Sequence, residues 1–263
     1  MSDKIFDPAF AESKNSAEAW SDFVTVVRQL RRQCPWDREQ THASLRHLLI
    51  EEAYETVDAI DSGDSSELKK ELGDLILQAV FHSVIAEEEA LFDLKGVLTA
   101  VTEKLVLRHP HVFGGVEADS VSDVLANWES IKAKERKTGS VLGGVPANMP
   151  ALLGAYRIQE KVAGVGFDFP DVEKTWAKVE EEIREFHDAL DTQEREAEFG
   201  DLLFALVNYG RRTGLNPEIA LRESNRRFRK RFEYVEKNVE GGDFKSASLE
   251  EMDRHWEASK AHG

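Results

Sequence analysis

Residues 71–76 read Glu-Leu-Gly-Asp-Leu-Ile, and residues 198–203 read Glu-Phe-Gly-Asp-Leu-Leu. Each stretch follows a second acidic run: Glu51-Glu52-Ala53-Tyr54-Glu55 in the first case, Glu181-Glu182-Ile183-Arg184-Glu185 in the second. Glu52 and Glu55, Glu71 and Asp74, Glu182 and Glu185, and Glu198 and Asp201 are all spaced i, i+3, which puts both members of each pair on one helix face. Four carboxylates brought together repel one another, and a hard divalent cation with oxygen ligands relieves the repulsion. The duplication therefore predicts a chemistry and an architecture together.

Working outward, helical periodicity starts near Ala19, where Trp20, Phe23, Val24, Val27 and Leu30 recur at spacings of three and four. Cys34-Pro35-Trp36-Asp37 breaks it. Helices are expected over about Ser44–Ile60, from Ser66 through Ile85, over Leu94–Leu107 as far as His109-Pro110, and over Val121–Lys137. Residues 138–150 are rich in Gly and Pro and nearly free of charge, which marks a linker. Helical patterns resume over Leu152–Ala163, Val172–Leu190, Glu194–Arg212, Pro217–Glu240 and Leu249–Ala261, and no alternating strand pattern stands out. The expected fold is all-α, a tandem repeat of two helical-bundle domains at 18–137 and 151–263 joined by the 138–150 linker. Lys104 to Arg108 falls where Arg227 to Arg231 falls in the second copy. A unit this small buries too little apolar area alone, so the repeats should pack on each other or on a second chain, with a two-fold homodimer the commonest arrangement.

The chain has 263 residues, 41% hydrophobic and 32% charged, with a net charge of −16. That balance disfavours a general nucleic-acid binder, which needs a basic stripe. It leaves room for a nucleotide held by metal and a few local cations. The single cysteine, Cys34, excludes an intrachain disulfide and a cysteine-based zinc site. No apolar run approaches the roughly 20 residues of a membrane span, and the N-terminus lacks an apolar signal core. A cytoplasmic protein with no membrane attachment is expected.

Glu-rich helices are ordinarily wet surfaces. Here Leu48, Glu52, Glu55 and Ala59 share one stripe, so acids interrupt an apolar face. Asp74 and Asp201 each run straight into apolar segments, Leu75-Ile76-Leu77 and Leu202-Leu203-Phe204, which places them at the edge of a core. Uncompensated burial of such groups costs several kcal/mol or more, so a metal site is favoured over a solvated face. Gly73 and Gly200 read either as a close helix approach beside the metal or as ordinary tight helix contact.

Further motifs accompany the acids: Cys34-Pro35-Trp36-Asp37 with Gln40-Thr41, Arg108-His109-Pro110-His111-Val112-Phe113, Val165-Gly166-Phe167-Asp168 and Asn225-Arg226-Arg227-Phe228. Together and in this order they resemble the MazG family of tandem-domain nucleoside triphosphate pyrophosphohydrolases, within the all-α NTP pyrophosphatase superfamily. The resemblance runs from about Trp20 to Lys260. It implies hydrolysis of a nucleoside triphosphate to the monophosphate and pyrophosphate with Mg²⁺, Mn²⁺ being able to substitute, and it implies a homodimer. It assigns metal ligation to Glu182, Glu185, Glu198 and Asp201, and nucleotide contacts to Lys178, Asn225, Arg227, Arg231 and Trp256. One position that is basic in some members is Glu194 here, beside Arg195.

Phosphoryl chemistry rests on positioning and charge neutralisation. Arg227 and Arg231, at i and i+4, suit phosphate oxygens, though the same run reads equally as a solvated basic face. Trp256 suits either base stacking or a core position. Glu181 is a candidate general base. In the first copy Glu52, Glu55, Glu71 and Asp74 keep the carboxylates, and Lys104 and Arg108 match Arg227 and Arg231. Thr102 replaces Asn225, however, and no counterpart of Trp256 follows. Catalysis is therefore expected in the second copy, with the first a vestigial site that binds metal weakly and serves assembly. His109-Pro110-His111 reads as a packed loop rather than a transition-metal site. Two other functions stay open: a non-enzymatic interaction protein with an acidic surface, and a pyrophosphohydrolase specific for one nucleotide, of dUTP or alarmone type. The leading reading, NTP hydrolysis, would serve nucleotide-pool housekeeping.

Overall fold

A computed structural model describes residues 15–120, 123–124, 127–128, 131, 140–239 and 247–261. Among these residues every regular element is a helix. No helix among them is long and apolar enough to cross a membrane. The chain divides into two compact units, Met1–Trp128 and Glu129–Gly263.

The first unit contains α1 (Ser16–Gln33), α2 (Pro35–Glu39), α3 (His42–Ser62), α4 (Ser65–Glu88), α5 (Leu94–Arg108) and α6 (Pro110–Phe113). Its most extensive helix pair is α3 with α4. Three local devices set the ends of these helices. Thr41 and Ser44 form a reciprocal capping box at the start of α3. Gly63 ends α3 in the left-handed region at φ 71°, which a residue without Cβ adopts at little cost. Asp64 then accepts from the amides of Ser66 and Glu67 to start α4. The core gathers Val27 of α1, Leu45 of α3, Val80, Phe81, Val84 and Ile85 of α4 and Leu94 of α5, with Trp20, Phe23, Val24, Leu48 and Leu77 against it. Trp20, Phe23, Val24 and Val27 of α1 thus do what their spacing predicts, whereas Leu30 at the end of the stripe is exposed.

The second unit contains α7 (Ala151–Ala163), α8 (Val172–Asp188), α9 (Thr192–Arg212), α10 (Pro217–Asn238) and α11 (Leu249–Ser259). Here α8 and α9 form the most extensive pair, α7 lies on α9 and α10, and α10 on α11. Asp171 caps α8 through the Lys174 amide and Asp191 caps α9 through the Glu194 amide. Val179, Ala205, Val207 and Val235 are buried in this unit. Asp168, in the turn before α8, pairs with Arg211 at 2.6 Å and Arg212 at 3.3 Å, tying that turn to the end of α9.

Two features depart from the sequence reading of the connections. Cys34-Pro35-Trp36-Asp37 ends α1 but also opens a helix, α2. Pro35 occupies its first position, where a missing N–H is harmless. Arg31 donates to the carbonyls of Asp37, Arg38 and Gln40. Likewise Pro110 opens the short α6. The helix expected at Val121–Lys137 falls mostly outside the described residues.

The apolar character of α4 and α9 also divides unevenly. Val80 through Ala86 carry most of the burial in α4, whereas Leu72 and Ile76 are 46% and 44% exposed. In α9, Phe199, Leu203 and Leu206 are exposed too. Asp74 is half-buried and Asp201 exposed. The aspartates therefore stand on solvent-facing stretches within their helices and not at a closed core edge. The two glycines beside them need correction in the same direction. A Cβ built at Gly73 or Gly200 would meet nothing within 4 Å, so neither marks a close helix approach within its unit.

Candidate metal centre

Each helical hairpin brings its two acidic motifs face to face. In the first unit Glu52 and Glu55 of α3 and Glu71 of α4 offer carboxylate oxygens that all lie within 4.8 Å of one another. In the second, Glu182 and Glu185 of α8 and Glu198 of α9 do the same. Asp74 and Asp201 fall outside these groups, but each lies near enough to raise a neighbouring glutamate's proton affinity. Three of the four expected ligands thus converge in each copy, with the fourth at the margin.

The first cluster carries uncompensated charge. Glu71 is buried, and its Oε2 has no hydrogen-bond partner. Burial, then the charges of Glu55 and Glu67, raise its pKa above the ordinary 4.5. Burial and the charge of Asp74 raise Glu52 as well, opposed by a hydrogen bond from Gln78. An open cleft of about 410 Å³, lined by Glu55, Asp58, Glu67 and Glu71 among others, adjoins the cluster.

The second cluster has a cation of its own. Lys178, one turn before the motif on α8, places its Nζ 2.6 Å from Glu181, 2.8 Å from Glu182 and 4.0 Å from Glu185. Glu182 is only 5% exposed. The hydrogen bonds to Glu181 and Glu182 raise the pKa of Lys178, and the bond from Lys178 lowers that of Glu181. Glu198, across on α9, is raised by burial and by the charges of Glu185 and Glu182. In this state Glu181, the candidate general base, is held as an anion against an ammonium group, a poor arrangement for accepting a proton.

The other predicted contacts lie on different helices. Asn225 and Arg227 are exposed on α10. Arg231, further along, stands over the Trp256 ring at 6.0 Å, and Phe228 packs on the same ring at 5.0 Å. Trp256 of α11 is half-buried in that contact, partway between a core position and a free stacking surface. Among the described residues no hydrogen bond or ion pair joins Asn225, Arg227 or Arg231 to the four acids. Glu194 is engaged locally: its carboxylate accepts from the Leu190 amide at 2.8 Å, and Arg195 donates to the Ala189 carbonyl. Both side chains fasten the turn between α8 and α9.

Two further features escaped sequence reading. His42 and His82 stack at 5.0 Å, with their Nδ1 atoms 2.7 Å apart. They lie forty residues apart, and neither falls in a motif. In the second unit a cavity of about 490 Å³ opens between α7, the 166–170 turn and α9, lined mainly by apolar side chains with Gln159, Asp168, Asn208 and Arg211. Val165-Gly166-Phe167-Asp168 was the only signal for it in the sequence.

The carboxylate donor set and the orphaned Glu71 oxygen fit a hard divalent cation. Comparison with known proteins agrees with this chemistry. The family described as "MazG nucleotide pyrophosphohydrolase domain" matches residues 40–113. The nucleoside triphosphate pyrophosphohydrolase/pyrophosphatase MazG of Thermotoga maritima is 43% identical over 94% of this chain and 98% of its own length. The nucleoside triphosphate pyrophosphohydrolase of Escherichia coli K12 is 41% identical over 90% of this chain and 95% of its own. A crystal structure of a mazG-related protein from Thermotoga maritima aligns over 43% of this chain and 98% of its own, at 26% identity and a TM-score of 0.39. Two duplicated carboxylate clusters on helical hairpins, and near full-length identity above 40% to these two enzymes, make this chain a member of the MazG nucleotide pyrophosphohydrolase family.

Proposed function

We propose that this chain hydrolyses nucleoside triphosphates to the monophosphate and pyrophosphate with Mg²⁺, Mn²⁺ being able to substitute, and so serves nucleotide-pool housekeeping in the cytoplasm. The observation that carries this reading is the convergence of Glu182, Glu185 and Glu198 in a chain of this family. Glu182, Glu185, Glu198 and Asp201 would hold the metal, which would neutralise phosphate charge and activate water. Lys178, Asn225, Arg227, Arg231 and Trp256 would hold the nucleotide. The shared contact of Arg231 and Phe228 with Trp256 supports a common surface for phosphate and base. Glu181 could act as a base once Lys178 has let it go.

The reading includes domains at 18–137 and 151–263 with a 138–150 linker, catalysis in the second, and a homodimer. The exposed apolar side chains of α3, α4, α8 and α9, among them Ile50, Ile76, Trp176 and Phe199, support assembly with a second copy. A second reading places catalysis in the first copy, because the family match lies there and Glu71 has an orphaned oxygen. The deciding experiment incubates the protein and Mg²⁺ with a panel of canonical and damaged (d)NTPs, following monophosphate and pyrophosphate. Cleavage between the α and β phosphates is expected. If none of the panel is cleaved there, the hydrolase reading fails and the interaction-protein alternative gains.

A further inference from the structure

The two clusters differ at one position that bears directly on metal entry. Counting back four residues from Glu182 reaches Lys178, and counting back four from Glu52 reaches Leu48. Lys178 bonds Glu181 and Glu182 and approaches Glu185. Leu48 instead packs against the core of the first unit. Among the described residues no lysine bonds Glu52, Glu55 or Glu71; Lys70, next to Glu71 in sequence, pairs with Glu67 instead at 2.6 Å, and Glu71 keeps a buried oxygen without a partner.

We infer that Lys178 is a tethered counter-cation that an incoming divalent ion must displace, so that the first cluster is the tighter site for a bare divalent cation and the second takes its metal together with a triphosphate. An ammonium group and a metal ion compete for the carboxylates of Glu182 and Glu185. The tether keeps the competitor at high local concentration. Once displaced, Lys178 sits beside a site that has gained positive charge, and an arriving triphosphate gives it a new anionic partner. Metal and nucleotide therefore help each other bind at the second cluster, and by linkage the help is mutual. At the first cluster no bonded ammonium group has to leave. This reverses the weak metal binding expected there from sequence. It rests on the metal-dependent reading of the second cluster but not on turnover.

The test titrates Mn²⁺ onto the full-length protein without nucleotide, following free Mn²⁺ by electron paramagnetic resonance. Two classes of site are expected. Glu71→Gln should abolish the tight class, and Glu198→Gln the weak one. Lys178→Met should tighten the weak class by about tenfold, the scale set by removing one nearby positive charge from a partly exposed site, while Lys178→Arg stays near the wild type. With a non-hydrolysable α,β-methylene triphosphate, Lys178→Met should bind the nucleotide more weakly. A folding defect would weaken both ligands, so opposite signs separate displacement from damage. The inference is overturned if Lys178→Met leaves the Mn²⁺ affinity of the weak class unchanged or lowers it, or if Glu198→Gln removes the tight class. If the Mn²⁺ pattern holds while no triphosphate is cleaved, the inference stands and only the hydrolase reading falls.

Discussion

The α3–α4 and α8–α9 hairpins carry the same acids at the same spacings and gather three of them in the same way. Their electrostatic states nevertheless differ. Around Glu182 a lysine supplies the missing charge, and around Glu52 an amide from Gln78 is the hydrogen-bonding neighbour that opposes the raised pKa. One helical turn upstream, a leucine committed to the core replaces the lysine. The comparison teaches that a motif can transmit geometry faithfully while residues outside it decide what that geometry holds. Carboxylate spacing sets where the oxygens meet. A single neighbour one turn away decides whether a cation of the chain's own joins them.

The sharpest way to break the comparison is to remove one ligand from each cluster. Glu185→Ala should lower pyrophosphate release by about a hundredfold or more, the usual scale for losing a group that stabilises the transition state. Glu55→Ala should leave most activity in place, as measured by steady-state pyrophosphate release. The reverse pattern would move catalysis to the first unit.

A smaller effect concerns the matched glycines. Because a Cβ at Gly73 or Gly200 meets open space, Gly73→Ala and Gly200→Ala should each stabilise the protein by up to about 1 kcal/mol, the helix-propensity difference. Chemical denaturation of each variant checks it. Destabilisation at one position alone would show that a partner surface reaches that hairpin and not the other.

The smallest expected effect is on the pH dependence of stability without metal. Glu52 and Glu71 in the first unit and Glu198 in the second have folded pKa values raised above 4.5. The folded state then holds protons that the unfolded state has released, so their contribution to stability is greatest at low pH. It falls as pH rises from 4.5 through the raised values. Glu71→Gln should flatten this part of the melting curve against pH in EDTA, and added Mg²⁺ should reduce the difference from wild type at neutral pH. An unchanged curve in Glu71→Gln would mean that its carboxylate is solvated in the metal-free protein.

Much of this molecule was legible in its sequence. Most of the apolar stripe of α1, the stop between α3 and α4 at Ser62-Gly63-Asp64, and the pairing of acidic motifs follow from periods and end signals a few residues long. The short helices at Pro35 and Pro110 were missed because proline reads as a break, although it also pre-forms a first turn. Glu194 was read as a departure from a nucleotide contact. In the structure it closes the turn before α9, which spacing alone does not reveal. The burial of α4 and α9 was overestimated because apolar content says that a face seeks cover, not what covers it.

By itself the sequence determined that the chain is all-helical, where its carboxylates repeat, and which family it joins. These depend on local periodicity, on i, i+3 spacing and on residue identity. Only the tertiary structure decided that Asp74 and Asp201 stand at the margin of their clusters, that His42 meets His82, and that Lys178 lies among the acids while Leu48 packs against a core. Those outcomes depend on which side chains meet across different helices, on how much water remains between them, and on the direction a long side chain takes from its backbone. No periodicity encodes these.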